Sequence, residues 1–197
     1  ALTMTEGDPL IFAGQSALKF YGRTAVDNDY NGLALDEREG DRIAAAVGDG
    51  SLDSDALAAQ AIATAERTRD LNAFVALSSE PAAGRSGALA GVPFAAKDAI
   101  ATVGLPTCAA SPALAGWKAN ADAEAIRLLE KAGATLIGKT NMHELSFGVT
   151  SNNAAFGAVA NPHAPDRIAG GSSGGSAVAV AVGAAAFALA ADTGGSA

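Results

Sequence analysis

One segment of this 197-residue chain limits its possible folds more than any other: AGGSSGGS at 169–176, followed directly by the small-residue run AVAVAVGAAA. So many glycines before a helix allow unusual φ/ψ angles and let backbone N–H groups converge on an anion. Alanine and valine bury little area each, so a core built from them depends on close backbone approach. The segment therefore predicts a loop followed by a closely packed helix over 176–186.

Three known glycine-loop patterns can be compared with this segment. A P-loop is excluded because no Lys-Ser/Thr pair follows the glycines, and a dinucleotide-binding loop is excluded because the G-x-G start is absent. The pattern G-x-S-x-G is present, with Ser173 at the nucleophile position. That triad needs an acid and then a histidine later in the chain, whereas His143 and His163 precede the segment and only Asp192 follows it. The given sequence therefore does not complete an α/β-hydrolase triad at Ser173.

Apolar periodicity and turn residues predict helices and strands that alternate along the chain. Helices are expected over 51–70, 121–132 and 176–186, and strands over 73–77, 92–96, 135–138 and 187–191. This alternation predicts an α/β fold with a largely parallel central sheet.

The chain is acidic, with 13 Lys+Arg against 21 Asp+Glu and a pI near 4.6. The excess of acid lies in the first 80 residues, so 1–70 is interpreted as an acidic, mainly helical region ahead of a near-neutral remainder, 71–197. Because there is no basic cluster, nucleic acid and anionic membrane surfaces are not expected as partners. The uncharged stretch 168–191 has four glycines in its first part, and its continuous apolar part begins only at Ala177 and is mostly alanine, so it does not predict a membrane span.

A single cysteine, Cys108, excludes an internal disulfide and is typical of a reducing compartment. The N-terminus shows no secretory signal pattern, so a cytoplasmic location is expected. His143 and His163 lack metal-ligand spacing with the acids or with Cys108. No metal and no organic cofactor is therefore expected, and Cys108 is interpreted as structural because no neighbour in the sequence activates it.

Two further segments carry chemistry. Lys97 ends the apolar run GVPFAAK, and burial there would favour the neutral amine, which is a general base. The alternative is an exposed lysine paired with its neighbour Asp98. Residues 192–196 (DTGGS) follow a predicted strand, and their consecutive N–H groups can converge as an oxyanion hole. The alternative for that segment is a simple surface turn.

Together the three segments resemble the amidase signature family, the Ser–cis-Ser–Lys hydrolases. The resemblance runs from about residue 71 to 197 and rests on LAGVPFAAKD (89–98), GATLIGKTNMHELSFG (133–148), TSNNAAFGAVANP (150–162), RIAGGSSGGSAVAVA and ADTGGSA. It implies the amidase signature fold, a central mixed and largely parallel sheet flanked by helices. This chain would then cover the N-terminal part of that fold, and a further segment of the same protein would complete it.

The resemblance also assigns roles to single residues. It implies Ser196 as the nucleophile, Ser172 as the bridging serine and Lys97 as the base. It further implies a cis Gly171–Ser172 peptide bond. The oxyanion hole maps onto the backbone N–H groups of Thr193, Gly194, Gly195 and Ser196. Residues expected to support the site or contact substrate are Gly171, Ser173, Met142, His143 and Asp192.

Two features qualify these roles. Ala190-Ala191 stand where the family usually has Gly-Thr before DTGGS, which replaces a flexible residue and a hydroxyl by methyl groups. A purely structural role is the alternative for His143, which lies in a loop that the family places beside the site.

The expected activity is hydrolysis of a carboxamide to a carboxylate and ammonia through a seryl acyl-enzyme. TSNNAAFGAV resembles the branch that acts on arylacetamides such as indoleacetamide or mandelamide, so a primary, aryl-substituted amide is the expected small-molecule substrate. One alternative is the amidotransferase subunit that takes ammonia from glutamine for tRNA-dependent amidation. Another is a non-catalytic binding module that keeps the fold. A homodimer is compatible with the sequence.

Overall fold

A computed structural model describes residues 54–79 and 86–197. Most of the region predicted as acidic and helical, 1–70, lies outside the described residues. Three helices are present in the described part: α1 (Ser54–Arg67), α2 (Glu124–Lys131) and α3 (Gly174–Ala181). The strands of the same part are β1 (Phe74–Leu77), β2 (Pro93–Lys97), β3 (Thr135–Thr140), β4 (Asn152–Asn153), β5 (Gly157–Ala158), β6 (Ala160–Asn161), β7 (Ala164–Ile168) and β8 (Phe187–Leu189).

Four strands form the central sheet in the order β1-β3-β2-β8. β2 runs parallel to both β3 and β8, and β1 pairs antiparallel with β3. The sheet is therefore mixed and largely parallel, as predicted. Every residue of β2 and β3 is buried, as expected for parallel strands that are covered on both faces.

The two faces of the sheet carry different clusters because alternate residues of a strand point to opposite sides. One face packs against α1 and α3 through four alanines and one isoleucine: Ala61, Ala95, Ile137, Ala179 and Ala185. The other face packs against α2 through Phe94, Ala96, Ile126, Ala134 and Leu136. The end of β2 consequently presents Lys97 and Asp98 to different sides of the sheet.

Helix α3 differs from its predicted range at both ends. It begins at Gly174, two residues earlier than expected, because Gly174 and Gly175 form its first turn rather than a free loop. It ends at Ala181, before the predicted 186, because Gly183 takes a φ of +73° that leaves the helix. The strand predicted over 187–191 is present but ends at Leu189.

Two small hairpins, β4-β5 and β6-β7, were not predicted from the sequence. Their strands are short, and two-residue strands give no alternating pattern to detect. Among the described helices, none combines the length and the apolar character that crossing a membrane requires.

Candidate active site

Lys97 lies at the end of β2, and its side chain is fully buried. Its Nζ donates to Ser172 Oγ at 2.6 Å and to Ser173 Oγ at 2.9 Å, and lies 3.4 Å from the carbonyl oxygen of Ala191. The alternative of an exposed lysine is therefore wrong. Asp98 is also buried, and its salt bridge runs to Lys139. Lys97 instead faces the glycine- and serine-rich loop.

Ser172 is held by contacts to its main chain. The peptide bond between Gly171 and Ser172 is cis, as the resemblance implied. The carbonyl oxygen of Ser172 accepts hydrogen bonds from the N–H of His143 at 3.0 Å and from Ser151 Oγ at 3.3 Å. Ser151 Oγ in turn accepts the N–H of Gly174 at 3.0 Å. The Ser172 hydroxyl is thereby directed to Lys97 Nζ.

Ser173 links the two ends of the site. Its hydroxyl accepts from Lys97 Nζ and donates to the carbonyl oxygen of Ala191 at 3.3 Å. Its N–H donates to the carbonyl oxygen of Ser196 at 2.9 Å. The predicted nucleophile Ser196 is therefore linked, through its main-chain carbonyl oxygen, to Ser173, which follows Ser172 and also contacts Lys97.

Residues 192–196 form a turn around one carboxylate. Asp192 Oδ1 accepts the N–H of Gly195 and, at 2.9 Å, the N–H of Ser196. The hydrogen bonds from Ser196 and Gly195 hold the pKa of Asp192 below its usual range. The N–H groups of Gly195 and Ser196 thus converge on the carboxylate of Asp192. Two of the four predicted donors, however, bind Asp192 in this structure.

The N–H groups of the glycine loop behave differently from the prediction at 169–176. Instead of pointing toward a common anion, the N–H of Gly174 donates to Ser151 Oγ and that of Gly175 donates to the carbonyl oxygen of Asn141. These glycines therefore dock the helix α3 onto the sheet rather than form an anion-binding loop.

Two further predicted site residues, Met142 and His143, lie next to this arrangement. Met142 is fully buried, and its N–H donates to Asn141 Oδ1 at 2.8 Å. His143 contributes its main-chain N–H to Ser172, while its ring Nδ1 lies 3.2 Å from Thr150 Oγ1.

His163 lies exposed in the turn between β6 and β7. Among residues 54–79 and 86–197, no group of three or more His, Cys, Asp or Glu side chains is placed to hold a metal ion.

The family model named Amidase matches residues 55–197. The chain belongs to the amidase family. A glutamyl-tRNA(Gln) amidotransferase subunit of Akkermansia muciniphila is 47% identical over 137 residues, which are 66% of this chain and 29% of that protein. An indoleacetamide hydrolase of Pseudomonas syringae pv. syringae is 45% identical over 158 residues, which are 77% of this chain and 35% of that protein. The chain thus spans about a third of the length of these curated relatives.

Solved structures agree with this assignment. A crystal structure of an amidase superposes with a TM-score of 0.71 at 37% identity, over 79% of this chain and 38% of that one. The native peptide amidase from Stenotrophomonas maltophilia superposes with a TM-score of 0.65 at 31% identity, over 79% and 36%. The amidase fold predicted from the sequence is therefore confirmed.

A second polar cluster, which was not predicted from the sequence, lies on the other face of the sheet. Lys139 Nζ lies 3.7 Å from Asp98 Oδ1, and both side chains are fully buried. Burial lowers the pKa of Lys139 to about 8, against an opposing attraction from Asp98. The only sequence signal was a lysine inside the buried run TLIGKT, which does not reveal its partner.

Proposed function

We propose that this chain carries the catalytic serines and lysine of an amidase that hydrolyses a carboxamide through a seryl acyl-enzyme. The observation that carries the proposal is the buried amine of Lys97, 2.6 Å from Ser172 Oγ, with Ser196 bound through its main chain to the neighbouring Ser173. Membership of the amidase family supports the same reaction class.

In the proposed reaction Ser196 Oγ attacks the amide carbonyl carbon while its proton passes through the hydroxyl of Ser172 to a neutral Lys97. Collapse of the tetrahedral intermediate breaks the C–N bond, and ammonia leaves with a proton returned by the same route. Water then attacks the acyl-enzyme and releases the carboxylate. Lys97 must be neutral to accept the first proton, which reaches it across the 2.6 Å contact with Ser172 Oγ.

The proposed donors to the oxyanion are backbone N–H groups within the segment 193–196. Because Asp192 accepts the N–H groups of Gly195 and Ser196, the groups of Thr193 and Gly194 are the proposed donors while Asp192 keeps the turn ordered. Each well-placed donor of this kind is worth a few kcal/mol in the transition state, about 3 kcal/mol in measured cases.

A fluorophosphonate probe tests the proposal directly, because it phosphonylates a serine that is activated as a nucleophile and leaves ordinary serines unlabelled. The wild-type protein should be labelled at Ser196. Ser196→Ala should abolish labelling, and Ser172→Ala and Lys97→Met should slow it by about a hundredfold or more, the usual contribution of general-base catalysis. Labelling at Ser173, or wild-type rates in Lys97→Met, would contradict the mechanism.

The proposed substrate is a primary amide with an aryl group. The indoleacetamide hydrolase among the relatives supports this class. Glutamine, used by an amidotransferase subunit, is the second candidate, because glutamyl-tRNA(Gln) amidotransferase subunits recur among the relatives. Release of ammonia from indoleacetamide or mandelamide but not from glutamine supports the first, and the reverse supports the second. A folded protein that neither labels nor hydrolyses any amide would be a binding module.

The proposed assembly follows from the length of the relatives. Since they are about three times as long as the matched segment, residues 71–197 are assigned to the N-terminal part of a catalytic core that further sequence of the same protein completes. A cytoplasmic location and a homodimer are part of the proposal. Light scattering on the intact protein tests the homodimer, activity assays on it test the catalytic core, and fractionation of the producing cells tests the location.

A further inference from the structure

Asp98, next to the proposed base, is the centre of a buried cluster that the proposed mechanism does not use. Its Oδ2 accepts three hydrogen bonds: from the N–H of Ala110 at 2.8 Å, the N–H of Cys108 at 3.2 Å and the thiol of Cys108 at 3.0 Å. Its Oδ1 has no hydrogen bond and faces Lys139 Nζ at 3.7 Å. One carboxylate thus fixes the path of residues 108–110.

Lys139 holds the preceding part of the same loop. Its Nζ donates to the carbonyl oxygens of Ile100 at 2.7 Å and Pro106 at 3.0 Å, and to Thr107 Oγ1 at 2.8 Å. The fully buried pair of Asp98 and Lys139 therefore organises the loop 98–111, with each charge offsetting the desolvation of the other.

This loop leads back to the proposed active site. The carbonyl oxygen of Ala109 accepts the N–H of Leu145 at 3.0 Å, and Ser111 Oγ donates to Glu144 Oε1 at 2.6 Å. Both hydrogen bonds hold the segment 143–146, whose first residue, His143, donates its N–H to the carbonyl oxygen of Ser172. Hydrogen bonds, together with the short main-chain segments between them, thus connect Asp98 to Ser172.

This connection begins and ends at a neighbour of Lys97, since Asp98 and Ser172 both adjoin that residue. Asp98 follows Lys97 directly, and the alternation of β2 sends Lys97 to one face of the sheet and Asp98 to the other. The amine is therefore placed by β2, and the hydroxyl it contacts is placed by loops that Asp98 secures from the opposite face. A displacement at Asp98 would change the 2.6 Å contact between Lys97 Nζ and Ser172 Oγ.

We propose that Asp98 and Lys139 are positioning residues that hold the loops 98–111 and 143–146, and through them Ser172, in register with Lys97. This proposal rests on the proposed function only for its effect on catalysis. The placement of the loops can be measured without any substrate.

The experiment compares Asp98→Ala and Asp98→Asn with Asp122→Ala in the intact protein. Asp122 is the control because its Oδ1 also accepts a main-chain N–H of the loop, that of Val103 at 2.7 Å, but away from Ala109 and Ser111, which contact the segment 143–146. Hydrogen–deuterium exchange is read at the segment 143–146. Asp98→Ala should accelerate exchange there by about tenfold or more, as expected when buried hydrogen bonds are lost, and Asp122→Ala should not.

Asp98→Asn keeps an acceptor for the N–H groups of Cys108 and Ala110 but removes the charge that faces Lys139. It should accelerate exchange less than Asp98→Ala, and Lys139→Met should accelerate exchange at 100–107. If Asp98→Ala and Asp122→Ala raise exchange equally, or if Asp98→Ala changes only 107–111, the link to Ser172 is wrong.

Kinetics give the second readout. Misplacing a catalytic group by about 1 Å costs about a hundredfold, so Asp98→Asn should lower kcat by about ten- to a hundredfold while KM changes by less than about threefold. Equal changes in kcat and KM, or an unchanged kcat, would overturn the positioning role. If the wild-type protein shows no amidase activity, the proposed function fails, and the exchange data still decide whether Asp98 holds the loops.

Discussion

Gly175 is predicted to tolerate a single added methyl group poorly. A Cβ at this position would lie 2.3 Å from the carbonyl oxygen of Asn141, 2.4 Å from that of Ala73 and 2.7 Å from the N–H nitrogen of Asn141. All three are main-chain atoms at the end of the sheet, so no side chain can turn away to make room. Gly175→Ala must therefore move the start of helix α3.

The size of the effect follows from these distances. Ordinary contact begins at 3.4 Å, so α3 must move by about 1 Å. That movement breaks the hydrogen bond from the N–H of Gly175 to Asn141, now 3.0 Å, and stretches the 2.7 Å contact between the hydroxyls of Thr140 and Ser176. Overpacking costs about 1–3 kcal/mol and each lost hydrogen bond about 1 kcal/mol, against a helix-propensity gain of about 1 kcal/mol. The free energy of unfolding should fall by about 1–3 kcal/mol.

Urea denaturation of the intact protein measures this change, and Gly116→Ala is the control. Gly116 has no atom within 4 Å of an added Cβ and no positive φ, so its unfolding free energy should change by less than about 0.5 kcal/mol. Because α3 follows Ser172 directly, Gly175→Ala should also slow fluorophosphonate labelling of Ser196 by about a hundredfold. If Gly175→Ala unfolds within about 0.5 kcal/mol of Gly116→Ala, the close approach to Asn141 does not constrain this position and the reasoning is refuted.

Three further predictions concern single titratable groups. Burial and the hydrogen bond to Asp98 raise the pKa of the Cys108 thiol, so Ellman's reagent should modify it at least about a hundredfold more slowly in the native protein than in urea; equal rates would contradict its burial. Burial lowers the pKa of Lys139 from 10.5 to about 8, so between these pH values the unfolded chain binds more protons than the folded one. The unfolding free energy of the wild type should then rise with pH relative to Lys139→Met, by at most about 1.4 kcal/mol per pH unit, and a difference that stays flat or falls would oppose the assignment. Asp192→Ala removes the acceptor that orders residues 193–196 and should slow labelling of Ser196 by about tenfold, while Asp192→Asn keeps most of the rate; faster labelling of Asp192→Ala would mean that the carboxylate obstructs the site instead.

Much of the fold follows from local patterns. The strands β1, β2 and β3 lie within a few residues of their predicted ranges, because buried apolar runs bounded by turn residues leave little freedom for another structure. The ends of α3 were less predictable. Gly174 and Gly175 were assigned to a loop, yet the tight contact with Asn141 makes them the first turn of the helix.

The candidate site divides in the same way. Lys97, Ser172 and Ser196 could be proposed because their motifs are short and contiguous, and the structure places Lys97 against Ser172 as those motifs imply. The local sequence around Lys97 favoured an ion pair with Asp98, which is wrong. A strand sends adjacent residues to opposite faces, and Asp98 finds its partner on β3.

The sequence by itself determined the family, the alternation of helices and strands, and the residue types that the proposed chemistry requires. The tertiary structure decided which buried charges pair, which acceptor the N–H groups of Gly195 and Ser196 find, and how Asp98 is linked to Ser172. The physical reason is the separation along the sequence over which each interaction acts. Periodicity and turn chemistry act over a few residues, whereas the pairing of Asp98 with Lys139 depends on the register of β2 against β3, which only the packed sheet establishes.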